Sequence, residues 1–206
     1  MTKYSQNNEQ DYILEYFKGQ QFGIFLEVGA FDPFVFSNTR CLVETNFWKG
    51  YYVEPSMSCY MKFINEYVNK ESKYLGSIEV LNYAIGSENK IVDFYDSLGD
   101  AVSTTSIEHK QKWEAGYGSK FEKTQVQMIT FEKLFSMGVH ENIDFLNLDV
   151  ESTNIELFNL IPDWFWVDLK MLCIEHDNQQ DYIIGKLQPF GFKELHRNGE
   201  NLIMAK

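Results

Sequence analysis

Apolar residues along this chain switch between two periods, and the switching sketches a fold. Tyr12, Ile13, Tyr16 and Phe17 recur at helical spacing within Asp11 to Lys18, and Gly19 stops the run. Residues 1–9 before it are polar and are expected to fray. Ile24-Phe25-Leu26 opens a short apolar run, about 24–29, that reads as a buried strand. Ser37 can cap a helix reaching Phe47, with Leu42 and Val43 turned inward and Gly50 as the break after it. Tyr51-Tyr52-Val53 is a second strand. Ser56 can cap a further helix whose Met57, Tyr60, Met61, Ile64, Tyr67 and Val68 keep the 3.6 period. Ile78 to Ala84 reads as a third strand. Strand, helix, strand, helix, strand is the first half of a doubly wound parallel sheet.

The pattern then changes. Ile91 to Tyr95 and Thr124 to Ile129 read as strands on either side of a polar stretch, Asp96 to Tyr117. Residues 87–130 are therefore expected to be an insertion over the mouth of the sheet, offering Ser103, Thr104, Thr105 and His109 to a substrate. Regular alternation resumes with a helix at Phe131 to Met137 and a strand at Ile143 to Leu148. A helix at Thr153 to Leu160 follows, stopped by Pro162, and then a strand at Leu169 to Ile174 and a helix over 179–188. Phe190 to His196 and Asn201 to Met204 close the chain as two strands around an Asn198-Gly199 turn. The expectation is one α/β domain over 1–206, with an N-terminal helix within 1–19.

Composition narrows the function. With 30 acidic against 18 basic residues the net charge is −12, so a broad basic footprint for nucleic acid is absent and no nucleic-acid partner is expected. Cys41, Cys59 and Cys173 are widely spaced among apolar residues and read as buried thiols without a disulfide framework. The N-terminus is polar and no run of about 18 apolar residues occurs, so neither a secretory leader nor a membrane span is expected, and the setting is expected to be cytoplasmic. The pattern is silent on oligomeric state.

The candidate chemistry lies where strands end. The first strand leads into Glu27, Gly29 and Asp32, and the second into Glu54. The third ends near Asn82 and Ala84, the fourth in Asp149 and Glu151, and the fifth in Glu175, His176, Asp177 and Asn178. In a doubly wound sheet these ends share one rim, and a rim of carboxylates calls for a cation, a ligand or shifted pKa values. The first turn lacks the GxGxxG that cradles a pyrophosphate, and Asp32 would repel one. A ligand with a cationic centre, a ribose and an adenine suits acidic strand ends better, and S-adenosylmethionine is one.

Five segments together carry a resemblance: FLEVGAFDP (25–33), SNT (37–39), YYVEP (51–55), NYAIG (82–86) and IDFLNLDVES (143–152). In this order and spacing the chain resembles the FkbM family of class I S-adenosylmethionine-dependent methyltransferases. The resemblance implies a Rossmann-like, mostly parallel seven-stranded sheet with helices on both faces, an insertion between strands three and four, and a last strand running antiparallel. It also implies methyl transfer to a hydroxyl of a sugar, glycan or small metabolite. By position, Glu27, Gly29 and Ala30 would border the methionine end of the cofactor, and Asn38 and Thr39 its carboxylate. Glu54 would take the ribose hydroxyls, and Ala84 and Ile85 would flank the adenine. Asp149 and Glu151 match a DVEG motif beside the reacting methyl. Pro33 and Ser152 stand where that family carries glycines.

A hydroxyl acceptor needs a base or a metal. Asp149 is the first candidate base, with His176 and His109 as alternatives. Asp149, Asp177 and Asn178 offer oxygen ligands of the kind that suit Mg²⁺. Two other readings stay open: a non-catalytic binding or scaffold protein that keeps the fold, and a nucleic-acid methyltransferase.

Overall fold

Strand β1, Ile24–Val28, runs through the middle of a seven-stranded sheet and is buried from Phe25 onward. The computed structural model describes residues 2–69, 71–139 and 142–206. Helix α1 (Glu9–Tyr16) precedes β1. Helix α2 (Arg40–Asn46), β2 (Lys49–Val53), α3 (Met57–Phe63, continued by a π-helical turn Ile64–Val68) and β3 (Ile78–Leu81) follow it. Next come β4 (Ala84–Ile85), β5 (Lys90–Asp96), α4 (Ile107–Tyr117), β6 (Glu122–Ile129) and α5 (Phe131–Ser136). The second half holds β7 (Phe145–Leu148), α6 (Asn154–Leu160), α7 (Asp163–Asp168), β8 (Met171–Glu175), α8 (Gln180–Leu187), β9 (Lys193–Arg197) and β10 (Asn201–Ala205).

The main sheet has the order β3-β2-β1-β7-β8-β10-β9. Its pairings are parallel from β3 to β8, and β10 lies antiparallel to both its neighbours. This is the Rossmann-like architecture with an antiparallel last strand that the sequence led us to expect. The direction of winding reverses between β1 and β7, the position at which open α/β sheets bind ligands.

Strand alternation divides the interior in two. Leu26, Val28, Leu146, Leu148 and Ile174 face one apolar cluster, which Phe158, Trp166 and Ile183 from α6, α7 and α8 complete. Phe25, Phe145, Cys173 and Ile203 face the other, with Ile13, Phe17, Leu42 and Phe63 from α1, α2 and α3. Both faces are covered, so the strands read as unbroken apolar runs. Each fully buried Leu, Ile or Phe contributes about 1.5–3 kcal/mol, and these two clusters hold the sheet while the rim is left free for chemistry. All three cysteines are buried and free. Among the described residues no helix is long and apolar enough to cross a membrane.

Four local expectations change. The third strand is broken: Ile78–Leu81 joins the main sheet, while Ala84–Ile85 leaves it to pair with β6 in a small sheet ordered β4-β6-β5. Asn82 makes the break by donating its amide to the carbonyls of Glu54 (2.8 Å) and Pro55 (3.0 Å). The polar stretch within 96–117 contains helix α4, which has no buried residue and so shows no apolar stripe to read. Pro162 ends α6 and also precedes a second short helix, α7. The N-terminal segment is tied down. Tyr4 donates its hydroxyl to Glu44 (2.8 Å), and buried Glu9 accepts from Asn198 (2.7 Å) and Asn201 (3.0 Å).

Candidate active site at the sheet's switch point

A cleft of about 600 Å³, counting its mouth, opens at the carboxyl ends of β1, β2 and β7. Its floor is Val28, Gly29, Val53 and Glu54; Ala84 and Ile85 form one wall, Asp149 to Glu151 another, and Ala101 and Ser103 to Thr105 reach over from the insertion. Among the described residues no Lys or Arg lines it.

Gly29 lets the two halves of the sheet touch. Its φ is +83°, and a Cβ there would lie 1.7 Å from the Asp149 carbonyl oxygen. Gly29 N–H donates to Val53 O (3.0 Å) and Asp149 N–H to Val28 O (3.0 Å), so three strand ends are tied at one point. Beyond the turn, Asp32 accepts from the N–H groups of Phe34 (2.9 Å) and Val35 (3.1 Å) and pairs with Lys62 (2.9 Å). Burial opposes its charge, but Lys62 and the two N–H groups prevail and hold the carboxyl below its ordinary value.

Glu54 is buried at the end of β2 and faces the cleft. One oxygen accepts from Phe31 N–H (2.9 Å), the other from Ser56 N–H (2.7 Å). Burial pushes its pKa up to about 7 against the pull of those two donors. Each carboxylate oxygen keeps capacity for a further donor.

Glu27 sits behind the cleft instead. It is buried, accepting Thr39 Oγ1 (2.5 Å) on one oxygen and Asn147 Nδ2 (3.0 Å) on the other, and burial pushes it up to about 8. Asn38 donates to Asn147 Oδ1 (3.0 Å), and Thr39 touches Tyr52 OH (2.9 Å). Glu27, Asn38, Thr39 and Ala30 are therefore brought together under the first turn but do not line the cleft. Helix α2 starts at Arg40, whose N–H is capped by Ser37 Oγ (3.1 Å).

The ends of β7 and β8 carry a different cluster. Asp149 is held well above its ordinary pKa by burial and by the charges of Glu175 and Glu151, and burial raises Glu175 as well. Glu151 is pushed up to about 8 by burial, then by Glu175, Asp177, Glu200 and Asp100. Asn154 organises the group: Nδ2 donates to Glu175 (2.5 Å) and Asp177 (3.4 Å), and Oδ1 accepts from Val150 N–H (2.8 Å). Glu151 and Ser152 have φ of 54° and 75°. The left-handed bend that a DVEG glycine would suit is thus kept here by a serine, at a cost in strain.

The insertion contributes Thr104, whose hydroxyl donates to Glu151 O (3.1 Å), and His109, whose Nε2 lies 3.3 Å from Glu151 Oε2. Nε2 is buried and has no hydrogen-bond partner. Burial, then the Lys112 charge, holds this imidazole below its ordinary pKa. His176 is placed differently. Its Nδ1 accepts Asn178 N–H (3.1 Å) and its Nε2 meets Asn198 O (3.2 Å), so both nitrogens bind neighbouring turns and the ring does not line the cleft. The expected Mg²⁺ set of Asp149, Asp177 and Asn178 is not assembled. Burial and neighbouring acids hold Asp149 well above its ordinary pKa, and Asp177 takes a bond from Asn154. Among the described residues no group of three or more His, Cys, Asp or Glu could hold a metal ion. Phe31 and Asn154 escaped the sequence reading; an asparagine opening the helix after the DVES bend was the available signal for the second.

A family model described as the methyltransferase FkbM domain matches residues 27–197. Among solved structures, a methyltransferase FkbM from Methylobacillus flagellatus superposes with a TM-score of 0.58 at 10% identity, covering 95% of this chain and 48% of that one. A phosphoethanolamine N-methyltransferase from Haemonchus contortus, solved with phosphoethanolamine and S-adenosylhomocysteine, gives a TM-score of 0.42 at 12% identity over 98% of this chain and 41% of that one. The chain thus spans about half the length of its first structural neighbour. No curated protein matches it.

Proposed function

This chain belongs to the methyltransferase FkbM domain family, and from that premise we propose that it is an S-adenosylmethionine-dependent O-methyltransferase acting on a hydroxyl of a sugar or small metabolite. The carrying observation is Glu54, a buried carboxylate facing the cleft with each oxygen fixed by one backbone N–H. That geometry suits bidentate acceptance of a ribose diol. The remaining lining fits the same cofactor: a bare Gly29 beside Asp149, an apolar wall at Ala84 and Ile85, and, among the described residues, no basic side chain to favour a pyrophosphate. Glu27, Asn38 and Thr39 then act as positioning residues that brace the turn from beneath.

When bound, the cofactor supplies an electrophilic methyl on a sulfonium. The chain must hold the acceptor oxygen in line with it and take a proton. His109 is our candidate base: its pKa is lowered by burial, and its Nε2 lies behind the cleft, 3.3 Å from Glu151, which lines it. The acceptor hydroxyl would give its proton to His109 Nε2 as its oxygen takes the methyl. Glu151, 3.3 Å from Nε2, steadies the imidazolium that results. Asp149, its pKa held well up by burial and the neighbouring acids, serves as a wall of the site, while His176 maintains the turn around it.

Calorimetry with S-adenosylhomocysteine tests the reading. We expect binding to the intact chain and a loss of about tenfold to a hundredfold in Glu54→Ala, the worth of about 1.5–3 kcal/mol for hydrogen bonds to a charged group. A folded protein that does not bind sinks the enzyme reading; an unchanged affinity in Glu54→Ala sinks the ribose assignment alone.

A further inference from the structure

We propose that Lys62 is a positioning residue for cofactor binding: through Asp32 and the Phe31 ring it holds the first turn so that Phe31 N–H stays aimed at Glu54. The inference rests on the ribose reading of Glu54 and adds the residue that keeps that carboxylate aligned.

Glu54 lines the cleft and takes one N–H on each oxygen, from Phe31 (2.9 Å) and Ser56 (2.7 Å). The two donors are secured differently. Ser56 is buried and opens α3, its hydroxyl accepting from Cys59 N–H (3.4 Å), so the helix fixes its backbone. Phe31 lies in a turn. Its φ of 53° is unfavourable for an aromatic residue and persists only where the surroundings impose it. The residues just beyond give little apolar support, since Phe34, Val35 and Phe36 are 45%, 48% and 47% exposed. The Arg40 guanidinium lies 4.5 Å from the Phe34 ring centroid and steadies the far end of the turn.

The near end is held by charge. Asp32 Oδ1 accepts from Phe34 N–H (2.9 Å) and Val35 N–H (3.1 Å), and its Oδ2 accepts from Lys62 Nζ (2.9 Å). The same ammonium lies 5.1 Å from the Phe31 ring centroid, so one cation grips two successive side chains. The Asp32 side chain is 14% exposed, which shields the pair from solvent better than an open surface pair. Lys62 stands near the end of α3, the helix that Ser56 opens. Glu54 is thus held twice by one helix: directly at its start, and near its end through Lys62 and the turn.

A ribose diol needs both carboxylate oxygens at a fixed spacing. With Phe31 N–H displaced, the carboxylate keeps the Ser56 bond and swings about it, and one ribose hydroxyl loses its partner. The charge of Lys62 also acts on Glu54, behind burial, the two N–H groups and Asp96. Asp32 separates the two actions, because it carries the grip without the positive charge.

Calorimetry of S-adenosylhomocysteine binding to the full chain is the test. We expect Lys62→Met, which keeps the apolar stem and drops the ammonium, to weaken binding about fivefold, equivalent to about 1 kcal/mol. Asp32→Ala should weaken it by a similar factor. Lys62→Arg, which can pair with Asp32 and lie over Phe31, should bind as the parent does. In a Glu54→Ala background Lys62→Met should cost nothing further, because Lys62 acts through Glu54. The inference is overturned by parent affinity in Lys62→Met, by a loss there that Asp32→Ala does not share, by Lys62→Arg binding no better than Lys62→Met, or by an equal loss when Glu54 is already gone. Each of these leaves the methyl-transfer reading standing. A folded parent chain that binds no S-adenosylhomocysteine overturns that reading and this inference with it.

Discussion

The two halves of the rim carry the same charge but are built differently. On the β1–β2 side each carboxylate oxygen has its own donor: Thr39 and Asn147 for Glu27, the N–H groups of Phe31 and Ser56 for Glu54. On the β7–β8 side one amide, Asn154, serves Glu175 and Asp177, and burial holds these two carboxyls and those of Asp149 and Glu151 above their ordinary pKa. The first half is finished by the fold. The second leaves carboxyls packed against one another, with one amide shared between two of them.

The largest effect is expected where the halves meet. Gly29→Ala would place a methyl 1.7 Å from the Asp149 carbonyl oxygen, in a residue at φ +83°. The left-handed backbone alone costs about 1–2 kcal/mol, and displaced packing adds about 1–3 kcal/mol. We expect a loss of about 4 kcal/mol in denaturant unfolding, a large share of a typical domain's stability. A loss below about 1 kcal/mol would mean that the halves are not locked at this point.

Titration comes next. Glu27, Glu54 and Glu151 have folded pKa values raised from 4.5 to about 8, 7 and 8. The folded state therefore binds these protons more tightly than the unfolded one. Their contribution is complete below the unfolded value and is lost as pH rises through the folded values. One unit is worth about 1.4 kcal/mol, so one unit retained at each of three groups removes about 4 kcal/mol between about pH 5 and about pH 9. Thermal melts should fall by about 10 °C over that range. Glu151→Gln should remove only the second half's share; a flat profile in the parent chain would show that the acids are paired more evenly than the comparison holds.

Legibility in the sequence followed the same division. Apolar runs and glycine breaks marked the succession of strands and helices along the chain, because strands buried on both faces are written into it as apolar runs. The acids were legible as strand ends, but whether an acid faces the cleft or lies behind it was not. Glu27 and Glu54 have similar local settings, but Glu27 lies within β1 and behind the cleft, whereas Glu54 follows the last residue of β2 and lines it. Helix α4 was hidden because it buries no residue, and with it the approach of His109 to Glu151. His176 looked catalytic by its neighbours Glu175 and Asp177, yet its ring bonds to Asn178 and Asn198, contacts across turns that spacing does not reveal.

The smallest effect is the sharpest, because the two halves should answer one chemical change with opposite signs. Replacing a carboxyl by an amide on the first half, Glu54→Gln, sets an NH₂ against the N–H of either Phe31 or Ser56, and neither backbone group can turn away. A buried donor left facing a donor costs about 1–3 kcal/mol. The same change on the second half, Asp177→Asn, removes a charge from among like charges, and its Oδ1 can still accept from Asn154. Asp177 also has φ 46°, a conformation that asparagine tolerates well. We expect Asp177→Asn to be more stable than the parent by about 0.5 kcal/mol, or about 1–2 °C in the melt, since natural sites of this kind give up stability for function. If both amides destabilise, the second half is as fully satisfied within the fold as the first.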